Sequence, residues 1–109
     1  FADRLEKANG EQKAATMWFM ANGMANPNNV GAGAHHYMHI MGLVAVGSMW
    51  LMMAGAATRA LSAGTGDKAF YEAKLVTARY YAERMLPDAG ALRRKIEAGS
   101  DAMMALDPA

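Results

Sequence analysis

A chain of 109 residues with no cysteine, a net charge of +1 and only 19% charged side chains excludes a disulfide-stapled scaffold and a strongly basic nucleic-acid binder. The length suits one domain that folds without metal or disulfides, and 53% hydrophobic residues supply ample core material. So low a charge content is small for a domain that wets its whole surface, so part of that surface is expected to be covered by something outside this chain. The absence of cysteine suits a reducing compartment. Eleven methionines read as adaptable filling of helix contacts in the core. Phe1 is neither an initiator methionine nor one of the small residues exposed by its removal, so the chain is expected to be one piece, residues 1–109, of a longer protein.

In chain order, residues 2–25 predict a first helix with Leu5, Ala8, Gln12, Ala15 and Phe19 on one line and Met17, Met20 and Met24 beside it. Gly10 weakens its middle by about 1 kcal/mol relative to alanine, and the part before it is expected to be the less firmly ordered. Asn26, Pro27, Asn28 and Asn29, followed by Gly31 and Gly33, read as a turn, with a second helix from Ala34 to Leu61. Ser62, Gly64, Thr65 and Gly66 end it, and Asp67 offers an N-cap to a third helix over Lys68 to Leu86. That helix carries two apolar arcs, Tyr71, Leu75, Ala78, Ala82 and Met85 on one side and Ala69, Ala73, Val76 and Tyr80 on another. Pro87 forces a kink or restart, Asp88 to Ala98 continue helically, and Gly99 stops them. Ser100 is expected to cap a short turn through Leu106, and Asp107 and Pro108 to fray. With no alternating strand pattern and short connections, the class is all-α, an antiparallel bundle of three long helices plus a fourth after Pro87.

The second helix dominates this arrangement. From Ile40 to Ala57 it runs eighteen residues without a charge. One line reads Ile40, Val44, Gly47, Leu51 and Ala54, and the opposite one Met38, Met41, Ala45, Met49, Met52 and Ala56. A helix apolar all round needs enclosure by helices or by lipid. Against lipid, three glycines and Ser48 dilute the run, Trp50 falls in its middle, and no Lys/Arg cluster flanks it.

The chemical candidates are His35, His36 and His39. His35 and His39 stand one turn apart, a spacing able to place two imidazoles on one metal, but no glutamate follows His35 and no cysteine exists to complete a site. They read as histidines at the wet end of a buried helix, and no metal is expected. Arg93, Arg94 and Lys95 point three ways around a helix and read as a solvated face. Gly31-Ala32-Gly33 follows no strand and lacks the third glycine of a dinucleotide fingerprint. The glutamates Glu6, Glu11, Glu72, Glu83 and Glu97 take ordinary places on polar stripes or helix ends, with an Arg79–Glu83 pair one turn apart. Lys74 and Arg79 are the side chains that could touch a cofactor phosphate or another domain. No catalytic constellation is present, and no catalytic, cofactor-binding or metal residue is assigned.

Ala15-Thr16-Met17-Trp18, Asn26-Pro27, Gly31-Ala32-Gly33-Ala34 with Tyr37-Met38 and Gly42-Leu43-Val44, and above all Phe70-Tyr71-Glu72-Ala73-Lys74-Leu75-Val76-Thr77-Ala78-Arg79-Tyr80-Tyr81 through Arg84-Met85-Leu86-Pro87, together resemble the extra C-terminal domain of long bacterial acyl-CoA dehydrogenases, and Met104-Ala105-Leu106 fits the way such chains end. The resemblance covers nearly the whole chain. It implies a cytoplasmic parent flavoenzyme, a homo-oligomer, in which a base removes the α-proton of an acyl-CoA thioester while the β-hydride passes to FAD. The catalytic glutamate of that family lies upstream, and no residue here matches a family catalytic motif. The family pattern has an acidic residue near His36, and its replacement argues against a family-wide metal role for the histidines. The resemblance implies a soluble appendage that packs on the catalytic body or a neighbouring subunit, and no nucleic acid or membrane partner. The rival reading is an autonomous helical binding or membrane-associated module that uses the apolar Ile40 to Ala57 surface directly.

Overall fold

The computed structural model describes residues 1–106, and their regular elements are all α-helices: α1 Ala2–Asn22, α2 Pro27–Ala63, α3 Lys68–Arg84 and α4 Asp88–Glu97. The all-α bundle expected from the sequence is what the chain forms. The expected fraying of Asp107 and Pro108 falls outside the described residues.

The element boundaries follow from end chemistry. α1 stops at Asn22, short of residue 25, where the Gly23 amide bonds the Phe19 carbonyl (2.7 Å) and the Asn22 side chain donates to the Trp18 carbonyl (3.0 Å). α2 starts at Pro27 and not near Ala34. The residue types that make turns also make N-caps: Asn26 is extended (φ −147°, ψ 104°), its Oδ1 accepts from the Asn28 amide (3.1 Å), and Pro27 sits in the first turn, where a missing N–H costs nothing. Gly31 and Gly33 are therefore carried inside the helix. A Cβ on Gly33 would lie 2.8 Å from Phe19 Cζ and 3.3 Å from Ile96 Cγ2, so this glycine serves close approach of helices and not a turn.

α2 continues past Leu61 to Ala63 and ends in a left-handed cap. Gly64 has φ 68°, its amide bonds the Leu61 carbonyl, and the Thr65 amide reaches back to the Ala60 carbonyl, both at 3.2 Å. Asp67 caps α3 as expected, accepting from the amides of Ala69 (3.0 Å) and Phe70 (3.4 Å). α3 ends at Arg84 and not Leu86, because around Pro87 the amides of Asp88, Ala89 and Gly90 bond three residues back, to Met85, Leu86 and Pro87. The path bends there and continues as α4. Gly99, at φ 73°, ends it as expected.

The packing order follows from the contacts. Phe19 lies at Gly33 and Leu5 at Gly47, so α1 runs antiparallel to α2; Leu86 lies at Gly47 and Ile96 at Gly33, so the bent α3–α4 path is antiparallel to α2 as well. Glu11 of α1 meets Arg93 of α4, and Trp18 lies near Gly99, so α1 and α4 run side by side in the same direction. One end of the molecule is thus a three-helix body of α1, the first half of α2, and α4. The other end is a two-helix arm of the later part of α2 and the early part of α3. The extents of 67 × 25 × 15 Å express this elongation, and a 37-residue helix spans about 55 Å of it.

The core lies in the body and at its junction with the arm: Leu5, Ala8, Ala15, Ile40, Leu43, Tyr81, Ala82, Leu86, Ala89, Leu92 and Ile96, with Phe1, Trp18, Phe19, Tyr37, Val44 and Trp50 packed on it. Leu5 and Ala8 correct the expectation that the part of α1 before Gly10 is the less anchored one. The described arm beyond Trp50 buries Ala57 on α2 and Ala78 on α3. Two ties hold polar groups inside: the Tyr81 hydroxyl donates to the Leu43 carbonyl (2.5 Å), and the Tyr37 hydroxyl donates to Thr16 Oγ1 (2.6 Å), whose own proton goes to the Gln12 carbonyl (3.0 Å). Burial pushes the Tyr81 phenol above its usual value, which keeps it protonated as a donor.

Ser100 does not cap a following turn, although residues 101–104 do turn and the Met104 amide bonds the Ser100 carbonyl (2.9 Å). Its amide and hydroxyl both donate to Asn29 Oδ1 (3.0 and 2.9 Å), while Asn29 Nδ2 donates to the Asn22 carbonyl (3.2 Å). One asparagine at the start of α2 thereby holds the ends of α1 and α4. Ser100 is 2% exposed, so Asn29→Ala leaves buried donors unpaired and is expected to cost about 1–3 kcal/mol in a urea titration, against a small change for Asn28→Ala.

Candidate functional site

The three histidines do not converge. His35 and His36 are neighbours with ring centroids 5.7 Å apart and His39 is exposed one turn on; among the described residues no group of three or more His, Asp or Glu is arranged to hold a metal.

Most charged groups are paired or exposed. Arg79 Nε bonds Glu83 (2.7 Å) as expected, and this exposed contact holds the Glu83 carboxyl below its ordinary range. Lys74 lies 5.0 Å from the Phe70 ring centroid. Arg93 departs from the solvated face expected of Arg93-Arg94-Lys95: it turns inward and binds Glu11 of α1 and both carboxylate oxygens of Glu97 (3.1 and 3.0 Å). Glu11 and Arg93 are 18% and 27% exposed at their side chains, so Glu11 is no member of a polar stripe. The hydrogen bond that Arg93 donates to Glu11, then those it donates to Glu97, raise the guanidinium further above its ordinary value. The arrangement is a clamp between α1 and α4, and Glu11 also borders a cleft on its other side.

Besides a cleft of about 360 Å³ at the turn between α2 and α3, lined by Ala60, Leu61, Thr65, Lys68 and Glu72, two surfaces remain. One is a cleft of about 390 Å³ between α1 and the α3–α4 bend, with Ala8, Ala82, Leu86 and Ala89 as its floor and Arg4, Lys7 and Arg94 around it. The other is the outer face of α2. Between Lys13 and Arg59 the chain has no Asp, Glu, Lys or Arg. The inward line holds Ile40 and Gly47 in the core, whereas Met38, Met41, Met49 and Met52 on the opposite line are 46–68% exposed, with Ala45 and Ala56 between them. The need for enclosure read from the sequence is thus met on one side only. The methionines as core filling are corrected: all eleven, Met17, Met20, Met24, Met38, Met41, Met49, Met52, Met53, Met85, Met103 and Met104, are at least 40% exposed. The outer arc of α3 is open too, with Val76 68% and Tyr80 61% exposed. Tyr81, absent from both predicted arcs, is the residue that enters the core. By length and composition α2 is also capable of crossing a membrane.

The family model described as acetyl-CoA dehydrogenase C-terminal like matches residues 1–107. The broad-specificity linear acyl-CoA dehydrogenase FadE5 of Mycobacterium tuberculosis is 32% identical over 112 aligned residues, which take in 99% of this chain and 18% of that enzyme. The chain thus spans less than one fifth of the length of this relative. The match runs along nearly all of the sequence, and the chain belongs to the acetyl-CoA dehydrogenase C-terminal like family.

Proposed function

We propose that this chain is the C-terminal helical domain of an FAD-dependent acyl-CoA dehydrogenase and works as a packing and subunit-contact domain without catalytic residues of its own. The observation that carries this is the uncharged outer face of α2, open to solvent over a helix otherwise apolar all round. A face of exposed methionines adapts to an irregular apolar counterpart, which suits contact with a folded protein body. The occupants are the rest of the parent enzyme and a neighbouring subunit of a cytoplasmic homo-oligomer.

Removing an α-proton from an acyl-CoA thioester requires a carboxylate fixed against that carbon, and the flavin supplies the acceptor for the β-hydride on the opposite side. Glu11 and Glu97 are engaged by Arg93, Glu72 and Glu83 are exposed, and Glu6 lies in an exposed position on α1. The cleft beside Arg4 has the size of the smaller ligand pockets and does not suit a dinucleotide. These placements support a reading in which base and flavin site, and acyl-chain selectivity with them, belong to the parent outside this chain.

The test substitutes Met49→Lys and Met52→Lys together. In the 109-residue chain the change is expected to leave the thermal midpoint within a few degrees and to reduce self-association in detergent-free sedimentation. In the full-length enzyme it is expected to lower stability and subunit association and to leave FAD absorbance of the remaining folded fraction unchanged. A full-length protein indifferent to both charges, or a wild-type chain recovered only from membranes, sinks the reading; the second result favours the membrane-associated alternative.

A further inference from the structure

We propose that Met38, Met41, Met49 and Met52 on the outer line of α2 form a methionine-oxidation site, and that their conversion to sulfoxides by hydrogen peroxide keeps this face from docking on a neighbouring subunit while leaving the domain folded. The proposal rests on the packing role given above and adds a chemical control to it. The four thioethers are 46–68% exposed. Small residues flank them on the same side of the helix. Exposed Ala45 lies one turn from both Met41 and Met49, exposed Ala56 one turn beyond Met52, and Gly42, one turn beyond Met38, has nothing within 4 Å of an added Cβ. A peroxide molecule therefore reaches the sulfurs from solvent. The sulfur lone pair attacks one peroxide oxygen, an S–O bond forms as the O–O bond breaks, and the departing hydroxide takes the proton of the new S–OH group and leaves as water. Each thioether gives up two electrons, and the peroxide accepts them.

Oxidation here falls on the surface alone. A sulfoxide disrupts a protein when the methionine fills its core, but this core is built from leucine, isoleucine, alanine and tyrosine and contains no methionine, so the helix crossings persist. Docking responds differently. A sulfoxide oxygen is a strong hydrogen-bond acceptor, and between Lys13 and Arg59 no Asp, Glu, Lys or Arg is present to meet it. The penalty is largest at Met49 and Met52, where the nearby hydroxyls of Ser48 and Thr58 already donate to the carbonyls of Val44 (3.0 Å) and Ala54 (2.8 Å) of their own helix. A sulfoxide enclosed against an apolar counterpart loses its water and receives no donor in exchange, which opposes association. A docked face is shut off from solvent, so the chemistry acts on chains not yet assembled, and methionine sulfoxide reductases restore the thioethers.

The experiment treats the full-length enzyme, diluted until its subunits separate, with hydrogen peroxide, removes the excess with catalase, and follows reassociation by sedimentation and the oxidation of each methionine by peptide mass mapping. Wild type carrying the four sulfoxides is expected to associate about tenfold more weakly. A variant with Met38→Leu, Met41→Leu, Met49→Leu and Met52→Leu, treated in the same way, is expected to associate as its untreated form does. Met49→Gln with Met52→Gln sets a polar amide where the sulfoxides stand and is expected to weaken association without peroxide. The circular dichroism of the oxidised 109-residue chain is expected to match that of the untreated chain. The proposal falls if the leucine variant is weakened as much as the wild type, or if oxidation removes helix from the chain. In the assembled enzyme the four methionines are expected to react more slowly than in separated subunits. Equal rates remove the packing reading itself, whereas shielded methionines whose sulfoxides leave reassociation unchanged remove this proposal alone.

Discussion

Ile96→Ala is expected to lower the stability of the chain by about 2–5 kcal/mol and the thermal midpoint by more than about 10 °C. Ile96 is 1% exposed, is among the largest fully enclosed side chains, and rests against Gly33 where α4 crosses α2. Removing its side chain opens a cavity among three helices whose backbones are already held by Asn29 and the Arg93 clamp, so collapse into the space is restricted. Ile96→Val removes one methylene and is expected to cost about 0.5–1.5 kcal/mol. Chemical denaturation followed by circular dichroism separates the two, and equal small losses show that the α4 contact contributes little.

Gly47→Leu carries the second large effect, of opposite steric sign. A Cβ at Gly47 would already sit 2.8 Å from Leu5 Cδ1, 3.3 Å from Leu86 Cδ2 and 3.4 Å from Tyr81 Cε1. A leucine must push α1 and the α3–α4 bend off α2 together, and it threatens the Tyr81–Leu43 hydrogen bond one turn away. A loss of about 3 kcal/mol, the upper part of the overpacking range, is expected. Gly31 and Gly42 lie in the same helix with nothing within 4 Å of an added Cβ, so Gly31→Ala and Gly42→Ala are expected to stabilise by about 0.4–1 kcal/mol. Thermal melts of the three variants test the contrast; similar behaviour of Gly47 and Gly42 contradicts the crossing geometry.

Periodicity revealed the helices and the inward lines of α1 and α2, because Leu5, Ala8, Ala15, Ile40 and Gly47 repeat as one buried face. It failed where one residue type serves two purposes. Asn26, Pro27, Gly31 and Gly33 are turn formers in isolation, and only the Phe19 and Ile96 contacts at Gly33 show why helix persists through them. Methionine is apolar in any composition count, yet whether it lies inward depends on how many helices surround it, and here α2 has neighbours on one side. The Asn29–Ser100 and Glu11–Arg93 ties join positions 71 and 82 residues apart, a separation at which no local pattern carries information. The family resemblance was legible in the block from Phe70 to Pro87, whereas the basic cleft was not, since Arg4, Lys7 and Arg94 come together only when α1 and α4 lie side by side.

The arm gives the domain an uneven mechanical profile. α2 is one unbroken helix, but Ile40 lies fully buried in the three-helix body while Thr58 is exposed in the two-helix arm. Opening free energy therefore declines along a single rod, and the domain loosens from the hairpin inward. Whatever grips the exposed face of that rod shores up the weak end directly, so fastening the arm to a larger body raises local stability where the isolated chain has least of its own.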